Sequence, residues 1–402
     1  MEPASLSRLP RIFRALIGLG AGLAATVSAQ SQPVHFSSLA VQDENGASVP
    51  LFSPVAYRDE LRYLRSEFQK TELTGRAVKT DGWTYNISEA EWPFMGFAYL
   101  GYACANFANY DPIVRDEALN EMRWLIDALQ TPRMSGFVVP HFGEPFDPKN
   151  IHVAVFVHGH FLNLALRYRE VSGDQRYDAL IHRVAAALAQ EYLGSDGPIL
   201  RSYRDMWWIT DNFPALAALS RYQRLFKRDT SAARNRFLSD LKAYYLDRET
   251  GLVCTYVNPK GHIQTQGARG ISVMYGLHFL KDIDPDFAVN QYRLARKQFV
   301  RNIFAFTAVR EFSENSNAQG DIDSGPIVLG FGPSASGFAI AAAAVNGDDA
   351  TAWELLRASA LVGLPQLQNG QLRYNAMPTV GQAVILFGKS ELLKSDGSSG
   401  AK

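Results

Sequence analysis

Scarce cysteine, balanced charge and a shortage of long apolar runs each limit what this sequence can be. Cys104 and Cys254 are the two cysteines among 402 residues, and they define no disulfide framework, so buried free thiols are a simpler interpretation than one bridge. Lys and Arg total 40, as do Asp and Glu, which argues against a nucleic-acid partner because such proteins present a basic face. Beyond the N-terminus, no segment is apolar enough to cross a membrane.

The N-terminus has the order of a secretory signal. Arg8, Arg11 and Arg14 precede an apolar run over residues 15–27, and small residues lead up to Ala29. We therefore predict a signal peptide over residues 1–29, cleaved after Ala29, and a periplasmic or secreted mature protein without a membrane span. An uncleaved anchor is the alternative, although the apolar run is short for a full span.

One unit recurs five times through the rest of the chain: a mostly apolar segment, a short break containing aspartate, and a charged amphipathic segment. The break aspartates, about 55 to 64 positions apart, are Asp111, Asp174, Asp229, Asp284 and Asp348. Aspartate suits a helix N-cap, because its side-chain oxygen accepts a free backbone N–H of the first turn. The pattern predicts hairpins, each with an apolar inner helix and an amphipathic outer helix.

Repeated helix hairpins stack or close on themselves, because one hairpin cannot bury its own apolar face. A further helix is predicted near residues 57–69, and about six hairpins would form an all-α (α/α)6 barrel. We assign this barrel to residues 55–393 as one domain. Residues 30–54 and the Ser- and Gly-rich tail over residues 394–402 are predicted to be flexible.

Polar and aromatic side chains concentrate in the loops that would enter the inner helices, which predicts the functional face. Glu91 and Glu311 lie in these loops without an assigned role. The candidate carboxylates are Asp211, Asp321 and Asp323, and the candidate substrate-binding residues are Trp83, Phe156, Tyr203, Trp207, Trp208 and Tyr374.

Several of these candidates also have a purely structural interpretation. Asp321 and Asp323 are near enough in sequence for one to have a raised pKa suited to acid catalysis, but they equally suit capping and binding of loop amides. Asp211 is either an N-cap or a pocket carboxylate. Trp207 and Trp208 form either a wall that stacks on a sugar or ordinary core.

Two histidines flank Gly159 inside a helical pattern. His158 and His160 would point about 200° apart on a helix, so they cannot bind one metal ion together, and we predict no metal site. His160 is either a satisfied core residue or a general acid/base, because histidine titrates near neutral pH.

The segment around His160 resembles the active-site segment of the linalool dehydratase/isomerase family. The similar pieces include Gly159-His160, Leu162-Asn163-Leu164, Ser172-Gly173, Arg176-Tyr177, Asp321 with Asp323 and Gly325, and Leu372-Arg373-Tyr374, within about residues 95–388. The resemblance implies an (α/α)6 barrel, export to the periplasm, and cofactor-independent dehydration, hydration or isomerisation of a terpene-like alcohol or alkene. It also implies that His160 is the active-site histidine.

The chain departs from the family pattern in the pocket. Ser202 and Asp211 stand at the positions that match the family's two cysteines, and Phe156 stands where the family has a methionine. The resemblance therefore places the pocket, but a carboxylate replaces a thiol within it.

We predict a lyase or isomerase in which His160 and Asp211 transfer protons and Asp321 or Asp323 supports them. Loss of hydroxide from an alcohol needs an acid at the oxygen and a base at a neighbouring carbon. His160→Ala is expected to abolish turnover and to leave the fold intact. The predicted partner is a small-molecule substrate, and no cofactor is predicted. Both a monomer and a homo-oligomer are compatible with the sequence.

Two rival hypotheses use the same barrel. The first is a periplasmic carbohydrate-active enzyme, a glycoside hydrolase, lyase or epimerase, with Asp211 and Asp321 as its two carboxylates. The second is a non-catalytic envelope-binding protein. A groove with charged subsites would favour a sugar, and a closed apolar cavity would favour a terpene-like ligand.

Overall fold

A computed structural model describes most of the chain after residue 38. It covers residues 39–74, 91–148, 151–258, 260–263, 267–303, 306–314, 316, 318, 320–321 and 323–398, with the side chains of 71–74 and 394–398 left out. The predicted signal peptide and the candidate Trp83 lie outside the described residues.

Helices make up most of the described chain, and they alternate between apolar and amphipathic sequences. In chain order they are α1 (Pro54–Thr74), α2 (Glu91–Tyr110), α3 (Arg115–Leu129), α4 (Pro132–Ser135), α5 (Val139–Phe142), α6 (Val155–Ser172), α7 (Asp178–Gly194), α8 (Asn212–Phe226), α9 (Ser231–Tyr244), α10 (Gly270–Ile283), α11 (Pro285–Phe299), α12 (Pro333–Val345), α13 (Asp349–Gly363) and α14 (Thr379–Ser398).

Six apolar helices close into an inner ring. Helix α2 packs on α6, α6 on α8, α8 on α10, α10 on α12, α12 on α14, and α14 packs back on α2. The amphipathic helices α1, α3, α7, α9, α11 and α13 pack outside this ring, because each has one apolar face to bury. The predicted (α/α)6 barrel is therefore confirmed, with one large hydrophobic core between the two layers.

The break aspartates act in two ways. Asp284 and Asp348 each accept the backbone N–H three residues further along, at 3.1 Å. They therefore cap α11 and α13, respectively, as predicted. Asp111, Asp174 and Asp229 instead accept the N–H two residues further along. The N-cap prediction is wrong for these three, whose side chains stabilise the turn before the outer helix.

Strands are short and confined to loops and the N-terminal segment within the described residues. The antiparallel pairs are β1 (Ala40–Gln42) with β2 (Ser48–Pro50), β3 (Trp207–Trp208) with β4 (Tyr256–Val257), β5 (Val300–Ile303) with β6 (Phe306–Val309), and β7 (Pro365–Gln368) with β8 (Gln371–Tyr374). The first pair and the end of α14 place regular structure within both segments that were predicted to be flexible.

Glycines let neighbouring inner helices approach closely. A Cβ atom added at Gly159 of α6 would lie 2.8 Å from the backbone nitrogen of Ala215 in α8. At Gly276 of α10, an added Cβ would lie 2.7 Å from the ring of Phe213. The close spacing of three consecutive helices of the ring, α6, α8 and α10, therefore depends on glycine having no side chain at these two positions.

A buried ion pair joins the first outer helix to the last inner helix. Lys389 Nζ of α14 donates to Glu60 Oε2 of α1 at 2.6 Å and to the hydroxyl of Tyr374 in β8 at 2.7 Å. All three residues are buried. This cluster fixes the seam at which the two ends of the barrel meet.

Cys104 and Cys254 are both buried and free, which confirms the thiol interpretation. Among the residues that the structure describes, no helix combines the length and the apolar character needed to cross a membrane.

Candidate active site

The loops that enter the inner helices bring carboxyl groups together at one rim. Glu91 is the first residue of α2, Asp211 directly precedes α8, and Asp321 and Asp323 lie in the loop before α12. The charges of the three aspartates all act on Glu91. Residues far apart in sequence thus form one acidic cluster, which we call the rim carboxyl cluster.

Glu91 is the member of this cluster that holds its proton most firmly. Burial raises its pKa to about 8, the charge of Asp323 adds to the shift, and a hydrogen bond from the Tyr203 hydroxyl opposes it. The carboxyl is therefore mostly protonated at neutral pH and can act as an acid.

Asp211 points into the site instead of capping its helix. It occupies the N-cap position of α8 but makes no side-chain capping bond. Its Oδ2 is buried and has no hydrogen-bond partner among the described residues. Burial raises the pKa of Asp211 to about 7, and the charge of Asp323 adds to this rise. A hydrogen bond from Ser202 lowers the pKa but does not outweigh these effects. Of the two interpretations from sequence, the structure supports the pocket carboxylate.

Asp321 and Asp323 have opposite electrostatic environments. Burial would raise the Asp321 pKa, but two hydrogen bonds from Arg269, at 2.6 and 2.9 Å, outweigh it and hold that pKa below its ordinary value. Burial and the charge of Asp321 raise the pKa of Asp323 to about 6. Arg269 also bonds Glu311 at 2.9 Å, so its positive charge is shared between two carboxyl groups.

His160 lies in an aromatic cage behind this cluster. Its Nδ1 is 2.9 Å from the Tyr102 hydroxyl and its Nε2 is 2.8 Å from the Tyr275 hydroxyl. The side chain is 0% exposed, and burial lowers its pKa to about 3, so the ring is neutral at neutral pH. Both nitrogens are occupied, which supports the structural interpretation of His160.

The predicted proton-transfer pair is not in direct contact. No hydrogen bond joins His160 to Asp211 among the described residues, and Tyr275 interacts with both. Its hydroxyl bonds His160, and the charge of Asp211 helps burial to raise the Tyr275 pKa. Asp211 is therefore better placed to act with Glu91 and Asp323 than with the histidine.

The candidate aromatic residues divide between three places. Phe156 packs on Tyr203, with ring centroids 5.4 Å apart, and on His160 at 4.9 Å, so it forms the wall between the rim carboxyl cluster and the cage. Trp207 and Trp208 lie half-buried in the β3–β4 hairpin, where Trp208 packs on Tyr256. Tyr374 does not join the site, because its hydroxyl accepts from Lys389 at the barrel seam.

A groove of about 780 Å³ opens on the same rim. Its lining includes His141, His152, Glu191 and Arg201, and so carries several polar and charged groups. The loop between α7 and α8 contributes Leu200 and Arg201 to this groove and continues directly to Tyr203 and Asp211.

No protein-family model and no curated protein matches the sequence. Solved structures match in fold. A variant of the α-1,6-mannanase GH76A of Salegentibacter sp. HEL1_6, in complex with α-1,6-mannotriose, superposes with a TM-score of 0.51 at 14% identity over 84% of this chain and 99% of that one. These neighbours in fold are carbohydrate-active barrels.

Two further structures agree. A polysaccharide lyase superposes with a TM-score of 0.52 at 13% identity, covering 86% of this chain and 99% of that one. An unsaturated glucuronyl hydrolase specific for heparin gives a TM-score of 0.51 at 12% identity, with 85% and 98% covered. At such low identity the likeness establishes the (α/α)6 barrel and leaves the site to be argued from its own residues.

Several residues of this site have little or no signal of function in the sequence. Glu311 lies in a rim loop, but nothing in its local sequence separates it from other loop glutamates. Tyr102 and Tyr275 lie inside apolar helices, where a tyrosine is ordinary core. The available signal for Glu91 was its position directly before an apolar inner helix.

Within the part of the chain that the structure describes, no three His, Cys, Asp or Glu residues are grouped so as to hold a metal ion.

Proposed function

We propose that this protein is a carbohydrate-active enzyme that hydrolyses a glycosidic bond with Glu91 as its proton donor. The observation that carries the proposal is the rim carboxyl cluster, in which Glu91 has a pKa of about 8 and Asp323 a pKa of about 6. At neutral pH one carboxyl is therefore protonated and the other ionised. Glycoside hydrolysis requires this pairing of an acid with a carboxylate.

The proposed reaction uses each group once. Glu91 gives its proton to the leaving glycosidic oxygen as the bond to the anomeric carbon breaks. A water molecule adds its oxygen to that carbon and gives its proton to Asp323. Asp211, with a buried and unpartnered oxygen, binds a sugar hydroxyl or shares the role of base.

The groove and the fold support a sugar substrate. An oligosaccharide is an extended, polar ligand, and the groove on the same rim is lined by charged and hydrogen-bonding side chains other than those of the rim carboxyl cluster. The neighbours in fold include a mannanase, a polysaccharide lyase and a glucuronyl hydrolase. Because residues 1–29 are predicted to form a signal peptide, the proposed place of action is outside the cytoplasm.

A linalool dehydratase/isomerase-like activity is the second candidate. The observation that favours it is the aromatic enclosure around His160, formed in part by Phe156, Tyr99 and Phe279. Such rings exclude water and stabilise a developing cation. His160 is neutral and both of its ring nitrogens are hydrogen-bonded, which argues against the histidine as the acid. Glu91 would therefore have to protonate the alcohol.

The test is turnover of two substrate panels: neutral and uronate-containing oligosaccharides, and allylic alcohols with the matching alkenes. We expect hydrolysis of an oligosaccharide, with a rate that rises through pH about 6 as Asp323 ionises and falls above about 8 as Glu91 ionises. Glu91→Gln and Asp323→Asn should each slow hydrolysis by about 10²–10⁴-fold.

Glu249→Gln is the matched control, because this glutamate is exposed and does not belong to the rim carboxyl cluster. Turnover of allylic alcohols alone would replace the proposal with the second candidate. Sugar turnover that Glu91→Gln leaves unchanged would remove Glu91 from its assigned role.

A further inference from the structure

A second cavity lies at the opposite end of the barrel from the rim carboxyl cluster. Its volume is about 390 Å³, and its walls come from the C-terminal halves of inner helices α6, α8, α10, α12 and α14. The lining includes Arg167, Arg221, His278, Lys281, Phe387 and Glu391. Arg167, Arg221 and Lys281 carry a positive charge, and Glu391 and Asp282, which also lines the cavity, carry a negative charge.

Arg167 is the unusual member of this lining. It is 8% exposed, yet its one hydrogen bond within the described residues runs from Nε to Asn163 Oδ1 at a long 3.4 Å. The guanidinium carbon lies 5.0 Å from the centroid of the Tyr102 ring and 5.9 Å from that of Phe387. Its two terminal nitrogens therefore border the cavity without a hydrogen-bond acceptor from the described chain.

The neighbouring carboxylates are already engaged. Arg221 donates to Asp282 at 2.9 Å and also pairs with Glu170, while Asp282 further pairs with Arg224. Glu391 accepts from Asn106 at 2.9 Å. Glu391 and Asp282 act on Arg167 through their charges but form no ion pair with it in the described structure.

Lys281 adds a second available cation. It is half-buried in the cavity wall, and it forms no ion pair with any residue that the structure describes. His278 contributes a ring whose Nε2 lies 3.4 Å from the Tyr99 hydroxyl. The cations Arg167, Arg221 and Lys281 thus outnumber the two carboxylates of the lining, and the ring of Phe387 supplies an apolar surface.

We propose that this cavity binds a small oxyanion, the carboxylate, phosphate or sulfate group of a small molecule, on Arg167 and Lys281. A planar guanidinium whose two terminal nitrogens have no acceptor from the described chain matches two oxygens of such a group, and a buried cation without a contacting carboxylate gains most from that partner. The cavity volume lies at the lower end of small-molecule sites, so the ligand is the size of a small metabolite.

The experiment measures binding of inorganic phosphate, sulfate and acetate to the full chain by calorimetry and thermal shift, with ionic strength held constant by a chloride salt. We expect saturable binding of at least one oxyanion. Arg167→Gln should weaken it by at least about tenfold, and Lys281→Gln by a smaller factor. Because Arg167 is buried, Lys281→Gln keeps the test valid if the arginine variant does not fold.

Lys297→Gln is the matched control, since it removes the same charge from an exposed position on outer helix α11. Oxyanion binding that this control reduces as much as Lys281→Gln does would reflect general charge and would overturn the proposal. Absence of saturable binding by all three anions, or binding unchanged in both cavity variants, would overturn it as well.

Discussion

The Glu91 carboxyl holds its proton at neutral pH because it is buried beside other carboxyl groups. Folding raises its pKa from 4.5 to about 8, so the folded protein binds this proton more tightly than the unfolded chain does. The resulting stability is complete below pH about 4.5 and is lost progressively as pH rises towards 8. A group arranged for catalysis therefore weakens the fold at the pH where it is used.

Replacement of Glu91 with Gln should increase stability while it slows turnover. The amide keeps the shape and never ionises, so the free energy of unfolding should rise by a few kcal/mol at pH 8, at about 1.4 kcal/mol per pKa unit. Thermal unfolding of both proteins between pH 4 and 9 measures the effect. A difference that does not grow with pH would contradict this explanation.

His160→Ala should destabilise the protein, contrary to the expectation from sequence. That expectation placed the side chain at a cavity edge, but the ring is fully buried and bonded at both nitrogens. Alanine would leave a void and remove the partner of the buried Tyr275 hydroxyl, while the Tyr102 hydroxyl would keep its bond to the backbone carbonyl of residue 160. We expect a loss of several kcal/mol.

Denaturant unfolding of His160→Ala provides the measurement, with His262→Ala, an exposed loop histidine, as its control. Equal stability of the two variants would show that the cage relaxes without cost.

The residues of the site were partly predictable from sequence. Asp211, Asp323 and Tyr203 were recognised because they lie in loops that feed inner helices. The role of Asp211 could not be decided, since a cap and a pocket carboxylate both require aspartate directly before a helix. What decides it is the burial of Oδ2 without a partner, together with the charge of Asp323 from a loop more than a hundred residues further along the chain.

At the scale of helices, the sequence pattern was sufficient to predict the architecture. Break spacing and the alternation of apolar with amphipathic segments are properties of the chain itself, so the hairpins and their ring could be predicted. The distances between helices could not, because they depend on which residues face one another. Gly159 of α6 and Ala215 of α8 are such a pair.

Gly159→Ala should destabilise the ring by about 1–3 kcal/mol, the usual effect of overpacking. The added Cβ would lie 2.8 Å from a backbone nitrogen, which cannot move without shifting α8. Gly194→Ala is the control, since nothing lies within 4 Å of its added Cβ at the end of α7. Denaturant midpoints should fall for the first variant and stay within error or rise for the second.

At the scale of the whole molecule, export is the expectation to test. Mass spectrometry of the exported protein should find a chain that begins at Gln30, because the residues before it have the order of a cleavable signal. Ala29→Arg should block cleavage, since the peptidase requires a small residue there. An intact N-terminus in the membrane fraction of the unaltered protein would indicate an anchor instead.

The seam formed by Glu60 and Lys389 also dictates the order of folding. The two residues are 329 positions apart, and each would be a buried, uncompensated charge without the other. During synthesis, α1 and α2 leave the ribosome long before α14 is made. Until then, the apolar surfaces of α1 and α2 that pack against α14 stay exposed. Contacts of such long sequence separation form slowly. Ring closure should therefore be the late, rate-limiting event, and a chain that stops before α14 should aggregate instead of forming five-sixths of a barrel.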